Sequence, residues 1–263
     1  KKLGESDTLV IDVRNHYEAA IGRFVPPKEG EGVEPGKPPP KWLDPLMRKS
    51  TEFPVWLDKT ETKEEMKGKQ VLMYCTGGIR CERASALLKY KMETDPEIKA
   101  LGIQGVYQLQ GGIDKYFKEF PEGGYWKGKN YVFDKRFAHA PPKVDGELHG
   151  KVDKKEKSEK EEDTIMGKCE ACQKPWDMYR GKRRCPTCGV PSLICRECFL
   201  ADKEGKKKLG REVRCDLCVE QGITSKKEIR QKDEQGIKEY ERKMARKGLL
   251  KPDKVALAPN PDN

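Results

Sequence analysis

Gln70-Val71-Leu72-Met73-Tyr74-Cys75-Thr76-Gly77-Gly78-Ile79-Arg80-Cys81-Glu82-Arg83-Ala84-Ser85 changes structural state within a few residues. Gln70 to Tyr74 is a short, nearly continuous apolar run, the pattern of a strand buried on both faces. From Glu82 to Tyr90 the residues are good helix formers with spaced apolar positions, which predicts a helix. Between the two stand one cysteine and two glycines. A buried strand that passes through a tight glycine turn into a helix is half of an α/β unit, and the rest of the chain can be read outward from it.

Upstream, Thr8-Leu9-Val10-Ile11-Asp12-Val13 reads as a second buried strand, with Asn15 to Ile21 a short helix after it. Downstream, Val106-Tyr107-Gln108-Leu109 predicts a third strand, followed by Gly111-Gly112 and a helix carrying Tyr116 and Phe117. Glu52–Leu57 and Lys63–Lys67 lead into the central strand. The expected fold class is therefore α/β, a parallel sheet flanked by helices. Tyr131 to Asp134 reads as a last extended segment, closing a domain at about residues 1–142. Residues 25–50 are rich in proline and glycine and read as a surface insertion of polyproline character. Residues 143–165 are mostly Lys, Glu and Asp and read as a linker, because such a composition cannot bury a core. A cysteine-rich module over 166–222 follows. The tail, 223–263, reads as a charged helix with a proline-containing disordered end. From 225 to 251 it holds ten Lys/Arg against five Asp/Glu.

The placing of Cys75 has chemical meaning. Glycines at 77 and 78 allow backbone conformations that a Cβ would block. Amides of Thr76, Gly77, Gly78 and Ile79, with the following helix N-terminus, can then converge on the sulfur and hold it as a thiolate or persulfide. Arg80 adds a fixed charge for an anionic substrate. The competing readings are a buried structural thiol and a phosphate-binding loop; the latter needs a Gly-Lys-Ser/Thr ending that is missing here. Cys81 reads either as a resolving thiol or as a small buried helix residue.

Eight further cysteines form four Cys-x-x-Cys pairs: Cys169/Cys172, Cys185/Cys188, Cys195/Cys198 and Cys215/Cys218. Each pair presents two soft ligands on one side of a turn, so eight thiolates predict two structural zinc ions, in sequential or interleaved pairing. Thioredoxin-like redox activity fits less well, since no βαβ pattern surrounds the pairs. Trp176 and Tyr179 stand beside Arg180, Lys182, Arg183 and Arg184, a mixture suited to stacking bases and pairing phosphates of single-stranded RNA.

Of 263 residues 37% are charged and 35% hydrophobic, with net charge +10; mean hydropathy is −0.89 and the isoelectric point about 9.0. These values suit one compact domain with polar extensions and an anionic partner. No run approaches the ~20 apolar residues of a membrane helix. The N-terminal residues show no signal-peptide core, and cysteine usage fits metal and a reactive thiol in a reducing compartment; the expected location is cytoplasmic. The chain starts almost directly in a strand, as a piece of a longer protein would. His16, His139 and His149 are given no role, and no nucleotide cofactor is expected.

Cys75-Thr76-Gly77-Gly78-Ile79-Arg80 resembles the Cys-x-x-Gly-x-Arg loop of the rhodanese family. Ile11-Asp12-Val13-Arg14 resembles its first signature and Leu109-Gln110-Gly111-Gly112 its last turn, so the likeness covers residues 8–125. That resemblance implies Cys75 as persulfide-forming nucleophile, Arg80 lining the loop, and Asp12 with Arg14 as a structural pair. Ile21-Gly22-Arg23-Phe24 departs from the family's Gly-His-Ile, and Cys81 replaces its usual serine. The longer string Tyr74–Ser85, with Gly111–Tyr116, Trp126-Lys127-Gly128 and Val132–Arg136, is similar to oxygen-dependent tRNA uridine hydroxylases. It implies tRNA as partner and 5-hydroxylation at the wobble position as the reaction. The alternatives are a sulfurtransferase moving sulfane sulfur to a thiol or protein acceptor, and a non-catalytic zinc-scaffold interaction protein. Oligomeric state is not legible.

Overall fold

The computed structural model of the chain describes residues 7–27, 39–132, 137–144, 165–179, 183–205 and 213–249. The first half alternates strands and helices: β1 (Thr8–Asp12), α1 (His16–Ala20), β2 (Gly22–Phe24), β3 (Lys41–Leu43), α2 (Phe53–Leu57), α3 (Thr60–Met66), β4 (Gln70–Tyr74), α4 (Ile79–Thr94), α5 (Pro96–Lys99), β5 (Gly105–Gln108) and α6 (Gly112–Glu119). After these come β6 (Trp126–Gly128), β7 (Asn130–Val132), β8 (Phe137–His139), α7 (Arg196–Lys203), α8 (Asp216–Glu220) and α9 (Lys226–Arg246).

Four strands form one parallel sheet in the order β3-β1-β4-β5. Because side chains alternate along a strand, the sheet sorts its residues to two faces. Leu9, Ile11, Val71 and Met73 pack with Leu57, Met66, Leu88 and Ile98 on the side of α2–α5. Val10 and Tyr74 point the other way, into Phe24, Ile113, Phe117 and Trp126. The antiparallel pair β2–β6 closes this second face. All the C-terminal strand ends therefore open on the same edge, where ligand sites of parallel sheets form.

Residues 25–50 are not a surface insertion throughout. Lys41–Leu43 is the edge strand beside β1, and Met47 is buried in the main core. Prolines at 38–40 hide this strand from a composition-based reading, since an edge strand of three residues carries little periodicity. Residues 28–38 lie outside the described residues, as do 145–164 of the expected linker and 250–263 of the tail. Tyr131 and Val132 do form β7, while Phe133 and Asp134 also lie outside.

The cysteine module does not stand apart from the sheet domain. Tyr17, Ile21 and Tyr131 share one buried cluster with Leu193, and Trp176, Tyr179 and Val190 pack against it. The tail helix α9 also returns to the sheet domain. Its Ser225 accepts the amide of Glu228, capping the start, and its face carries acid and base to matching partners. Asp233 pairs with Lys49 at 2.8 Å, Lys243 with Asp58 at 2.9 Å, and Lys247 with Asp95 at 2.9 Å. Lys91, buried on α4, donates to the Met244 sulfur and lies 5.1 Å over the Tyr240 ring. Among the described residues no helix is long and apolar enough to cross a membrane.

Candidate active site and metal centres

Strand β4 delivers Cys75 to the open edge of the sheet, where it is 1% exposed. Gly78 is the left-handed residue that starts α4, with φ of +96°, and its amide donates to the Cys75 sulfur at 3.2 Å. A left-handed cap is cheap only for glycine, which explains that residue. Gly77 does not adopt positive φ, and a Cβ there would meet only Asp114 Oδ2 at 3.9 Å. The expectation that both glycines are needed for inward-facing amides is thus corrected to one. The helix also starts at Ile79 rather than Glu82, which brings Cys81 into its first turn.

That shift places Cys81 in the helical turn that follows the Cys75 loop. Cys81 is the largest influence on the Cys75 thiol, and it lowers its pKa. Together with the Arg80 charge and the Gly78 amide, it outweighs burial and brings the Cys75 thiol down from 9.0 to about 6. The proton stays on Cys81, whose own ionisation is pushed far up because it would put a second anion against the first. Cys81 is fully buried.

Arg80 is positioned differently from the sequence expectation. Both ends of its fork face Glu18, at 2.6 and 2.9 Å, and it also donates to Thr76 Oγ1 at 3.1 Å. A guanidinium held bidentately has its geometry fixed by that partner, so Arg80 braces the loop and polarises Cys75 rather than presenting a free anion-binding fork. Glu18 is 1% exposed. It closes a capping box with Asn15 at the start of α1, a signal present in the sequence as Asn15-x-x-Glu18. Its meeting with Arg80, 62 residues on, is not legible there.

Asp12 and Arg14 form the buried pair beneath this network. Arg14 Nη2 reaches Asp12 Oδ2 at 2.6 Å and the Gly22 carbonyl at 2.7 Å, and Nη1 reaches the Glu18 carbonyl at 3.3 Å. Tyr74 donates to Asp12 and accepts from Trp42, and Trp126 covers the guanidinium at 5.0 Å. The pair ties the end of β1 to α1, β2 and β4, so the Glu18 carboxylate arrives at a fixed place.

The turn before α6 supports the loop from the other side. Ile113 and Asp114 donate amides to the Cys75 and Thr76 carbonyls, at 3.0 and 3.1 Å. A Cβ on Gly112, at φ +63°, would lie 2.3 Å from the Thr76 oxygen. Buried Asn130 of β7 donates to Asp114 at 3.1 Å.

The eight remaining cysteines assemble in two groups of four. Cys169, Cys172, Cys195 and Cys198 form one, Cys185, Cys188, Cys215 and Cys218 the other, and within each group the sulfurs lie within 4.8 Å of one another. The pairing is interleaved: first pair with third, second with fourth. All eight are free thiols. Four sulfurs converging from two Cys-x-x-Cys turns, with no disulfide to account for the approach, fit a tetrahedral metal ion in each group. Arg48 from the sheet domain donates to the Cys218 sulfur at 3.5 Å and to Gln221 at 2.9 Å, joining the second group to the sheet domain.

The basic–aromatic stretch near the first metal group is mostly engaged in packing. Tyr179 donates to the Tyr17 carbonyl, and its ring meets Tyr17 and Tyr131 edge-on. Trp176 is wedged between two buried clusters. The Tyr179 ring is taken up by these edge contacts, while Trp176 stays half-buried. Arg183 pairs with Asp202 and Arg184 donates to the Gly189 carbonyl. Arg180 and Lys182 lie outside the described residues.

Residues 1–119 match the family described as Rhodanese-like domain, and residues 127–218 the one described as Rhodanase C-terminal. The chain is 36% identical over 221 residues to Rhodanese-like domain-containing protein 6 of Arabidopsis thaliana, covering 84% of this chain and 30% of that protein. It is 39% identical over 149 residues to the tRNA uridine(34) hydroxylase of Brucella ovis, 56% of this chain and 40% of that protein. The Brucella anthropi protein of the same name is 38% identical over the same shares. The chain spans less than half the length of these curated relatives. A thiol at the end of a parallel strand, the braced loop around it and the two matched regions agree: this chain carries a rhodanese-like domain followed by a rhodanase C-terminal domain.

Proposed function

We propose that this chain is the thiol-bearing and metal-binding part of an enzyme that hydroxylates a tRNA uridine at the wobble position. The observation that carries the reading is the similarity to tRNA uridine(34) hydroxylases, which falls on a chain whose loop cysteine is set up as a thiolate. With its pKa at about 6, Cys75 is mostly ionised at neutral pH and serves as the nucleophile. Thr76 and Arg80 shape the loop around it, Glu18 holds Arg80, and Asp12 with Arg14 fixes Glu18.

The metal in both four-cysteine groups is zinc in this reading, in a structural role, because each closed thiolate set leaves no coordination position for substrate. The exposed basic residues of α9 support an RNA partner. Along α9, Lys226, Lys227, Arg230, Lys232, Lys238, Arg242 and Arg246 are exposed, against Glu234 and Glu239. Such a track can neutralise backbone phosphates without reading sequence.

The test is nucleoside mass spectrometry of tRNA from cells lacking the protein, complemented with wild type or Cys75→Ser. Loss of 5-hydroxyuridine derivatives, restored by wild type and not by the variant, is the expected result; unchanged levels in the deletion overturn the proposal. The low pKa of Cys75 also favours a second reading, sulfur transfer through a Cys75 persulfide. A Cys75→Ser protein retaining full thiosulfate:cyanide activity would eliminate it.

A further inference from the structure

Two charged side chains of opposite sign stand beside the Cys75 loop, and they are held in different ways. The Arg80 fork is engaged by Glu18 at 2.6 and 2.9 Å, so that cation is neutralised by its own buried partner. Asp114 is the opposite case. It lies in the first turn of α6, and its amide donates to the Thr76 carbonyl at 3.1 Å, which ties its backbone to the loop. Its side chain is held at one oxygen: buried Asn130 donates to Oδ1 at 3.1 Å. The other oxygen, Oδ2, stands 3.9 Å from the position a Cβ on Gly77 would take. Asp114 itself forms no ion pair among the described residues, though Lys118 and His139 lie close enough to act on it. Gly77 and Asp114 are both exposed, while Cys75 is buried. A reagent that reaches the Cys75 sulfur from the exposed Gly77 side of the loop therefore passes this carboxylate.

We propose that Asp114 is a specificity-determining residue that sorts reagents by charge, favouring neutral electrophiles at Cys75 over anionic ones. Like charges a few ångströms apart repel even in water, and a carboxylate fixed by Asn130 cannot swing away from the loop. A small dianion such as thiosulfate is disfavoured by it. A neutral group, such as a nucleobase whose phosphates stay outside the loop, is not. The inference stands on the geometry of the loop and goes beyond the tRNA reading, since it concerns the charge a reagent carries whatever molecule bears it. Because Asp114 is exposed, added salt screens its effect: the Debye length falls from about 10 Å at 0.1 M to about 3 Å at 1 M.

Iodoacetamide and iodoacetate test this directly, because both alkylate the same thiolate and they differ chiefly in charge. Partial burial raises the Asp114 pKa above 3.8, so the measurement is made at about pH 8, where the carboxylate is charged. Purified zinc-loaded full chain is treated with each reagent at low salt and at ~1 M salt. Trypsin cuts after Lys69 and Arg80, and alkylation of the Gln70–Arg80 peptide is followed by mass spectrometry. The ratio of the two rates cancels the thiolate fraction, so a shift in the Cys75 pKa does not move it. Asp114→Asn keeps an acceptor for the Asn130 amide and removes only the charge. The expected result is an iodoacetamide-to-iodoacetate ratio about three- to fivefold lower in Asp114→Asn than in wild type at low salt, with the two ratios converging at ~1 M salt. An unchanged ratio overturns the proposal, and so does a difference that persists undiminished at high salt, which is steric in origin. Asp114→Ala is expected to match Asp114→Asn and decides the case should asparagine perturb the loop. Neither result touches the tRNA reading, which is tested on nucleosides.

Discussion

Cys81→Ala removes one sulfur from the loop and keeps the helix, the amide and Arg80, so its effect on Cys75 can be worked out in advance. The wild-type thiol falls from 9.0 to about 6, and the Cys81 thiol is the largest single cause. A hydrogen bond to a charged acceptor contributes ~1.5–3 kcal/mol. At ~1.36 kcal/mol per pKa unit, that is a rise of ~1–2 units, to between about 7 and 8. The assay is the iodoacetamide rate of the Gln70–Arg80 peptide, followed by mass spectrometry from pH 5 to 10, which ignores the eight cysteines of the metal groups. A higher pKa leaves less thiolate but a more nucleophilic one, with a Brønsted slope of ~0.4–0.5. Combining the two, the variant should be about two- to sixfold slower at pH 6 and about three- to eightfold faster at pH 9, so the profiles cross. The crossing discriminates between causes. A variant that is slower at every pH has lost access or structure, and one with an unchanged midpoint shows that Cys81 does not hold the thiolate; either outcome refutes the account of the loop.

Three further substitutions or perturbations probe the supports of the site. Asp12→Asn leaves Arg14 buried without its carboxylate, and should cost ~3–5 kcal/mol, read as a lowered urea midpoint at constant slope. Gly112→Ala drives a Cβ to 2.3 Å from the Thr76 oxygen at a left-handed φ, so melting temperature should fall and the Cys75 midpoint should move back toward 9.0; Gly77→Ala, whose Cβ would make only an ordinary contact with Asp114 Oδ2 at 3.9 Å, should do neither. Removing metal with a strong chelator should unfold the cysteine module, since a structural zinc site contributes ~10–16 kcal/mol of apparent binding. It should also expose Tyr17 and Tyr131, detectable as a change in near-ultraviolet circular dichroism that metal re-addition reverses.

Legibility followed sequence distance. Strands β1, β4 and β5 are dense β-branched or apolar runs, and the Cys-x-x-Cys pairs are local, so both could be read directly. The short strands β2, β3 and β6 have three residues each, below the length at which alternation is a signal. Their existence depends on partners such as Trp126 opposite Phe24. Within the site, Cys75, Asp12 and Arg14 announce themselves through local motifs. Glu18 does not, because its capping role and its bond to Arg80 belong to different parts of the chain. The same is true of Tyr179: beside basic residues it looks like a base-stacking ring, and only the fold reveals that it packs edge-on with Tyr17 and Tyr131 in one cluster.

The charge pattern of the tail shows how composition misleads when it is read without a partner. A net-positive helix with fifteen of its 21 residues charged or amide looks autonomous and solvated. Its hydrophobic contribution is small, Ile229 and Met244, yet both are buried, one against the second cysteine group and one against Lys91 of α4. The ion pairs to Lys49, Asp58 and Asp95 fall along the same face, so electrostatics sets the register that two apolar contacts alone would leave loose. One helix thus touches the metal-binding module at its start and the catalytic sheet's outer helices at its end. Arg48 adds a direct link, from the segment after β3 to the Cys218 sulfur. Arg48 and Ile229 both sit at the second cysteine group, and α9 runs from there to α4, the helix that begins at the Cys75 loop. The rhodanese-like and C-terminal portions are therefore joined through α9, which meets the second cysteine group through Ile229 and the helix that follows the Cys75 loop through Met244.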